Sequence, residues 1–318
     1  MPSRRTILIW IGVLAVGLAA IAASQSRRAQ NLYYALNYER VYDRYEQMDT
    51  TVTDVTETVD ENGREAALLS AFFGVDQGLP GIVADRAICD GAGGMDGMPV
   101  IFSHEVDITT LEPGDFLVRQ QSGALGEVTC LTLAPADDAG ELRTALLAGQ
   151  FGDPSDPPTS VEIVGDVLSL NGNLTFKGTQ VAVTPLEAGP SLVWAEIVPE
   201  SEWTLGRLAT GIPFGGGSGC PAQTKQIVRV TWGGGVTKPS GQAADAAEGA
   251  LYEVIFTSRD EGEGVVTPMA LADTGDGDNN HKLCLDDVYP VTSVRFPAGR
   301  LTDPRDDLNP ATEVALLP

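Results

Sequence analysis

The sequence predicts a mostly β protein built from two tandem antiparallel β-sandwich modules, and three observations predict it. Glycine (36) and proline (20) are abundant among the 318 residues, which suits many short strands joined by tight turns better than long helices. After Cys89 the apolar residues recur with a period of two, the pattern of strands with one buried face. Three apolar blocks also recur in the same order in both halves, which predicts an internal duplication. These are Val100-Ile101-Phe102 with Val230-Thr231-Trp232, Phe116-Leu117-Val118 with Tyr252-Glu253-Val254, and Val128 to Ala134 with Val266 to Ala272.

The N-terminus reads as an export segment. Arg4 and Arg5 precede an uncharged apolar run from Ile7 to Ala23, and Ala20-Ile21-Ala22 supplies the small-x-small pattern of a signal-peptidase site. Residues 1–22 are therefore a signal peptide or, uncleaved, a membrane anchor, since the run is only slightly short of a hydrocarbon core. Ser3-Arg4-Arg5-Thr6-Ile7-Leu8 also resembles the twin-arginine export motif, departing from it at Ile7 and Ile9.

Residues 23–84 are expected to form a helical N-terminal segment and connector. Tyr34, Tyr38, Tyr42 and Tyr45 share one face of a helix over 30–48, and Ala66 to Phe73 reads as a short helical turn before Gly74. The first module is expected over 85–203, a Gly-rich linker over 204–219 around Gly215-Gly216-Gly217, and the second module over 220–318. Export places the cysteines in an oxidising compartment. Four cysteines allow three connectivities, and one bridge per module, Cys89 with Cys130 and Cys220 with Cys284, is the economical pairing.

The stretch Val100-Ile101-Phe102-Ser103-His104-Glu105-Val106-Asp107, through Thr110-Leu111 to Asp115-Phe116-Leu117-Val118, resembles the opening strands of bacterial Ig-like modules of S-layer and cell-surface proteins. In the second half the motif decays to Trp232-Gly233-Gly234-Gly235-Val236. The resemblance implies Ig-like sandwiches serving as spacer, adhesive or binding modules, and it implies no catalytic residue.

The richest cluster of polar ligands runs from Asp273 to His281, with Asp286 and Asp287 following. Asp276, Asp278, Asn280 and Asp287 occupy positions one, three, five and twelve of a calcium-type loop, although His281 stands where that loop has glycine and no helices are expected to flank it. Calcium is the cation this spacing expects, against a solvated acidic turn; no organic cofactor is expected. The corresponding loop of the first half, Pro135 to Glu141, is poorer in ligands. Asp303 to Pro310 carries turn-forming Asp-Pro and Asn-Pro pairs, and Asn173-Leu174-Thr175 marks an exposed turn. The two histidines, His104 and His281, both lie beside carboxylates. In a continuous strand Ser103 and His104 point to opposite faces, so they are not expected to pair as nucleophile and base.

A net charge of -24 disfavours nucleic acid and anionic lipid as partners, and a membrane enters only through an uncleaved N-terminal segment. The expected function is therefore an exported periplasmic, cell-surface or secreted binding, adhesion or structural protein whose partner is an envelope protein or a carbohydrate. The alternative is an exported metal-dependent or acid-base enzyme using His281, Asp276, Asp278 and His104, which requires these side chains to share one pocket.

Overall fold

The computed structural model describes residues 50–204, 217–258 and 262–316; the expected export segment, the expected tyrosine-bearing helix and most of the Gly-rich run lie outside them. Within the described residues the chain is mostly β. The first unit contains β1 (Leu68–Phe72), β2 (Asp96–Phe102), β3 (Phe116–Gln120), β4 (Leu125–Thr132), β5 (Thr144–Gln150), β6 (Pro158–Ile163) and β7 (Gln180–Thr184). They form one closed barrel in the order β1-β2-β5-β4-β3-β6-β7, sealed by a parallel pairing that sets Ala71 opposite Val183.

Closure makes the first unit a barrel where two separate sheets were expected. A single strand, β4, serves both walls, pairing with β3 through Gly126 and with β5 through its C-terminal half. A bulge between Val128 and Cys130 bends it. Beside the bulge β4 and β5 approach closely at glycine. A Cβ on Gly149 would stand 2.0 Å from the Glu127 carbonyl oxygen, so only glycine fits without moving backbone. The expected helical turn over Ala66 to Phe73 is instead β1. A short apolar run is ambiguous by itself, and here hydrogen-bonding partners on both sides, β2 and β7, decide for strand.

The second unit contains β8 (Leu192–Ile197), β9 (Gln226–Trp232), β10 (Glu253–Ser258), β11 (Gly262–Val266), β12 (Ala270–Ala272), β13 (Asn280–Leu285), β14 (Val291–Phe296) and β15 (Thr312–Ala315). They form two four-stranded sheets, β11-β10-β14-β15 and β12-β13-β9-β8. Its pairings repeat those of the first unit. Val118 pairs with Val161 and Val254 with Val294; Leu131 pairs with Leu147 and Leu271 with Leu283. What β4 does as one strand, β11 and β12 do as two, because Pro268 between them cannot donate to a ladder. The pairings equate Gly126 with Val266 and Leu131 with Leu271, two residues away from the alignment read in the sequence. A slip of two preserves which face each side chain occupies, so the apolar pattern alone does not reveal it.

The unit boundary also differs from the expected one. β8 pairs with β9 through Ala195 and Val230, so the Gly-rich run lies between two neighbouring strands of one sheet, and the chain passes between units at Pro185 to Ser191. Each unit has its own core. Phe102, Phe116 and Phe176 pack in the first; Trp232, Tyr252 and Phe296 pack in the second. A short helix, α1 (Gly81–Ala87), places Ala84 in a smaller apolar cluster with Leu79, Ile88 and Cys130. A second, α2 (Ala246–Gly249), is capped by the Asp245 carboxylate, which accepts from the Ala247 N–H. The two disulfides are Cys89–Cys130 and Cys220–Cys284, one per unit as expected, and they fit an oxidising compartment. Among the described residues, no helix is long and apolar enough to cross a membrane.

Candidate functional site at the junction of the two units

The loop between β4 and β5 faces the loop between β12 and β13, and charged side chains close the junction. Arg229 and Lys282 lie on two fully buried strands, β9 and β13, and both point out of the second unit toward the first. Arg229, 1% exposed, donates to the Gly140 carbonyl and to Glu196 Oε1 (2.8 Å), and its Nε lies 3.7 Å from Glu141 Oε1. Lys282 Nζ bridges the units, 3.1 Å from Glu141 Oε1 and 2.9 Å from Asp273 Oδ2. Arg143 of the first unit stacks 4.6 Å above the Trp194 ring and reaches Glu196 of β8 at 3.3 Å. Thr144 and Asn279 exchange hydrogen bonds across the same junction.

Burial sets the protonation of this network. It pushes the Glu141 carboxyl up to about 8, reinforced by a hydrogen bond with Asp273. Asp273 is also opposed by burial, but Glu141 and Lys282 outweigh it and hold this carboxyl below its ordinary value. Lys282 and Arg229 stay charged because the carboxylates outweigh the cost of burial.

Where the calcium loop was expected, the structure brings only part of the set together. Asp276 and Asp278 are both buried; burial, with the neighbouring carboxylates, pushes Asp276 up to about 6 and Asp278 well above the ordinary range. Asn280 is occupied: its N–H and side-chain amide donate to Asp278, and its Oδ1 accepts from Thr231. Asp287 is exposed beside Lys225, past the far end of β13, where a six-residue strand separates it from Asp278. Six residues of strand span about 20 Å, too far for one coordination shell. Among the described residues no group of three or more His, Cys, Asp or Glu side chains is arranged to hold a metal ion. The segment from Asp303 makes a turn, with Asp303 accepting from the Arg305 and Asp307 N–H groups.

The histidines lie apart. His281 is buried in the second core, its Nδ1 2.7 Å from the Tyr252 hydroxyl, which accepts from Trp232 Nε1. Burial pushes His281 down to about 4, so it is neutral. His104 instead lines a groove of about 1320 Å³ between the units, whose walls include Asp60, Arg64 and Asn171 on one side and Glu196 and Thr292 on the other. Neither His281, Asp276 nor Asp278 lines it.

In that groove Ser103 and His104 do touch. β2 ends at Phe102 and the chain bends, so the alternation of a continuous strand no longer applies, and Ser103 Oγ lies 2.9 Å from His104 Nδ1. His104 Nε2 lies 3.3 Å from Asp60 Oδ2. Burial works against the Asp60 carboxylate, but hydrogen bonds from Arg64 and His104 keep it well below the usual range. Burial also outweighs the Asp60 contact at His104 and lowers its affinity for protons. Ser103 Oγ already accepts from the Ala67 N–H and sits 3.0 Å from the Glu65 carbonyl, so its hydroxyl ties β2 to the segment entering β1. Sequence reasoning missed Glu141, Lys282, Arg229 and Asp60; the available signal for Arg229 was a single charge flanked by Val228 and Val230, and the acids in polar loops carried none.

These features define a class: a disulfide-bonded protein of two topologically similar β units joined over a buried ionic junction, with a polar groove alongside. Comparison with protein families, with curated proteins and with solved structures finds no match to this chain.

Proposed function

We propose that this is an exported, non-catalytic binding or adhesion protein of the cell envelope or exterior, which holds a basic segment of a partner protein in the groove between its units. The observation that carries this reading is the groove's charge. Its lining contains six carboxylates, Glu57, Asp60, Glu61, Glu105, Glu196 and Glu202, against three guanidinium groups, Arg64, Arg143 and Arg229. Arg64 is engaged by Asp60, and Arg143 and Arg229 by Glu196, which leaves exposed Glu57 and Glu61 to attract a cation. Among the described residues the lining has no Phe, Tyr or Trp ring of the kind that packs against a sugar face, which favours protein over carbohydrate. The export signal, the two disulfides and the resemblance to Ig-like surface modules support the location.

The test is binding of a library of lysine- and arginine-bearing peptides, beside neutral oligosaccharides, to the wild type and to Glu57→Lys with Glu61→Lys. Peptide binding that weakens with salt and is lost in the double variant is expected. Binding of oligosaccharide alone, or peptide binding indifferent to the charge reversal, overturns the reading.

A further inference from the structure

We propose that a second, apolar pocket between the units is a binding site for a single aromatic ring carried by a small uncharged molecule. The proposal goes beyond the groove reading and stands without it, because this pocket and the groove share no lining residue.

The pocket encloses about 180 Å³. On the first-unit side its walls are Phe72, Val75, Leu79, Pro99, Leu133 and Leu146. On the second-unit side they include the bare backbone of Gly234, Gly235 and Gly277. A cavity of about 150 Å³ lined by Leu, Ile and Phe stays dry and takes up benzene, so the larger space here has room for a substituted ring. Gly277 and Pro304, both exposed, stand at its mouth.

The polar side chains on the wall are already engaged within the protein. Thr144 and Asn279 bond to each other, and Asn279 Nδ2 donates to the Trp232 carbonyl at 2.7 Å. Asp278 accepts from the Asn280 N–H and from its side-chain amide. The Gly74 and Gly97 N–H groups donate to the Phe72 and Val75 carbonyls, while Pro99 and Pro135 have no N–H to offer. Water in this space finds few partners, and a charged group would be buried unpaired. An uncharged ring suffers neither cost.

Glycines shape the pocket in two ways. A Cβ built on Gly74 or on Gly234 would stand 2.8 Å from the Phe72 ring, so bare backbone of both units holds that ring and the wall is preformed. Gly235 is different. Its φ lies outside the left-handed region, and the nearest neighbours of a built Cβ would be the Gly277 and Asp278 carbonyl oxygens, at 3.5 and 3.9 Å. A side chain fits at this position and would take up space in the pocket, so backbone geometry does not call for glycine there. Empty space of this size forfeits contacts along its whole lining. A ring restores them, and it touches both units at once.

Toluene and benzoate, rings of similar size without and with a charge, are titrated into the full chain and into Gly235→Val by ligand-observed NMR. Saturable toluene binding is expected in the wild type, with a Kd of about 1 mM or tighter. Gly235→Val should weaken it at least about tenfold, and benzoate should bind the wild type at least about tenfold more weakly than toluene. Absence of saturable toluene binding, unchanged affinity in the folded variant, or benzoate binding as well as toluene overturns the site. If the variant does not fold, nuclear Overhauser contacts in the wild type decide. Contacts from toluene to the methyl groups of Val75, Leu133 and Leu146 support the site, and binding without them overturns it. Toluene carries no charge for the groove to read, so failure here leaves the groove reading standing, and loss of peptide binding leaves the pocket standing.

Discussion

The hydroxyl of Tyr252 lies 2.7 Å from Nδ1 of His281 while accepting from the indole N–H of Trp232 at 2.9 Å, so a three-membered polar chain crosses the second core. The Trp can only donate, and the hydroxyl proton then goes to His281, which accepts as a neutral ring. Tyr252→Phe strands a buried donor and a buried acceptor, and should cost about 2–4 kcal/mol in a urea melt at pH 7. A loss below about 0.5 kcal/mol would show that water replaces the hydroxyl.

The same histidine predicts an acid limb. An imidazole of ordinary value 6.5 held at about 4 contributes stability that is complete above 6.5 and lost as pH falls through about 4. The gap is worth about 3 kcal/mol. Because the buried acids titrate in the opposite sense, the measurement is the difference between wild type and His281→Gln. That difference should shrink from pH 7 to pH 4, and a constant difference counts against a neutral buried ring.

The pairing of β4 with β5 in the first unit depends on the close approach at Gly149. Gly149→Ala should cost more than about 2 kcal/mol, since the added methyl meets the Glu127 carbonyl and the Phe151 ring. Gly81, at the start of α1, has nothing within 4 Å of a built Cβ, and Gly81→Ala should leave the melting temperature unchanged or slightly raised. Equal effects of the two substitutions on thermal unfolding would contradict this account.

Replacing Cys220 and Cys284 together by alanine should cost about 4 kcal/mol in the chain-entropy description, because the bridge closes a sequence separation of 64 residues. Non-reducing peptide mapping checks the pairing directly. A Cys130–Cys220 peptide would mean that the units are stapled to each other.

Asp276→Asn removes a buried acid pushed up to about 6, and should stabilise the protein by about 3 kcal/mol at pH 8 and little at pH 4. The melts are run with chelator and with calcium. Destabilisation by the amide in calcium buffer alone would reveal a cation at this loop and reverse the sign expected here.

By itself the sequence determined that the chain is mostly β; it pointed to repeated blocks and made cysteine pairing within each half the economical one of three connectivities. Strand periodicity is a local property, and so is the clustering of turn residues. Neither says which strand lies beside which. The parallel contact of β1 with β7, between Ala71 and Val183, decided barrel closure and turned an ambiguous apolar run into a strand. The pairing of β8 with β9 decided where one unit ends. The calcium spacing at Asp276, Asp278, Asn280 and Asp287 was legible, but the intervening residues form strand β13 rather than a loop, and an extended backbone carries Asp287 away. Likewise Glu141 reads as one more acid in a polar loop until Lys282 and Asp273, distant in sequence, are packed against it. The protonation of a buried carboxyl depends on its solvent exposure and its neighbours, and both are set only when the two units close together.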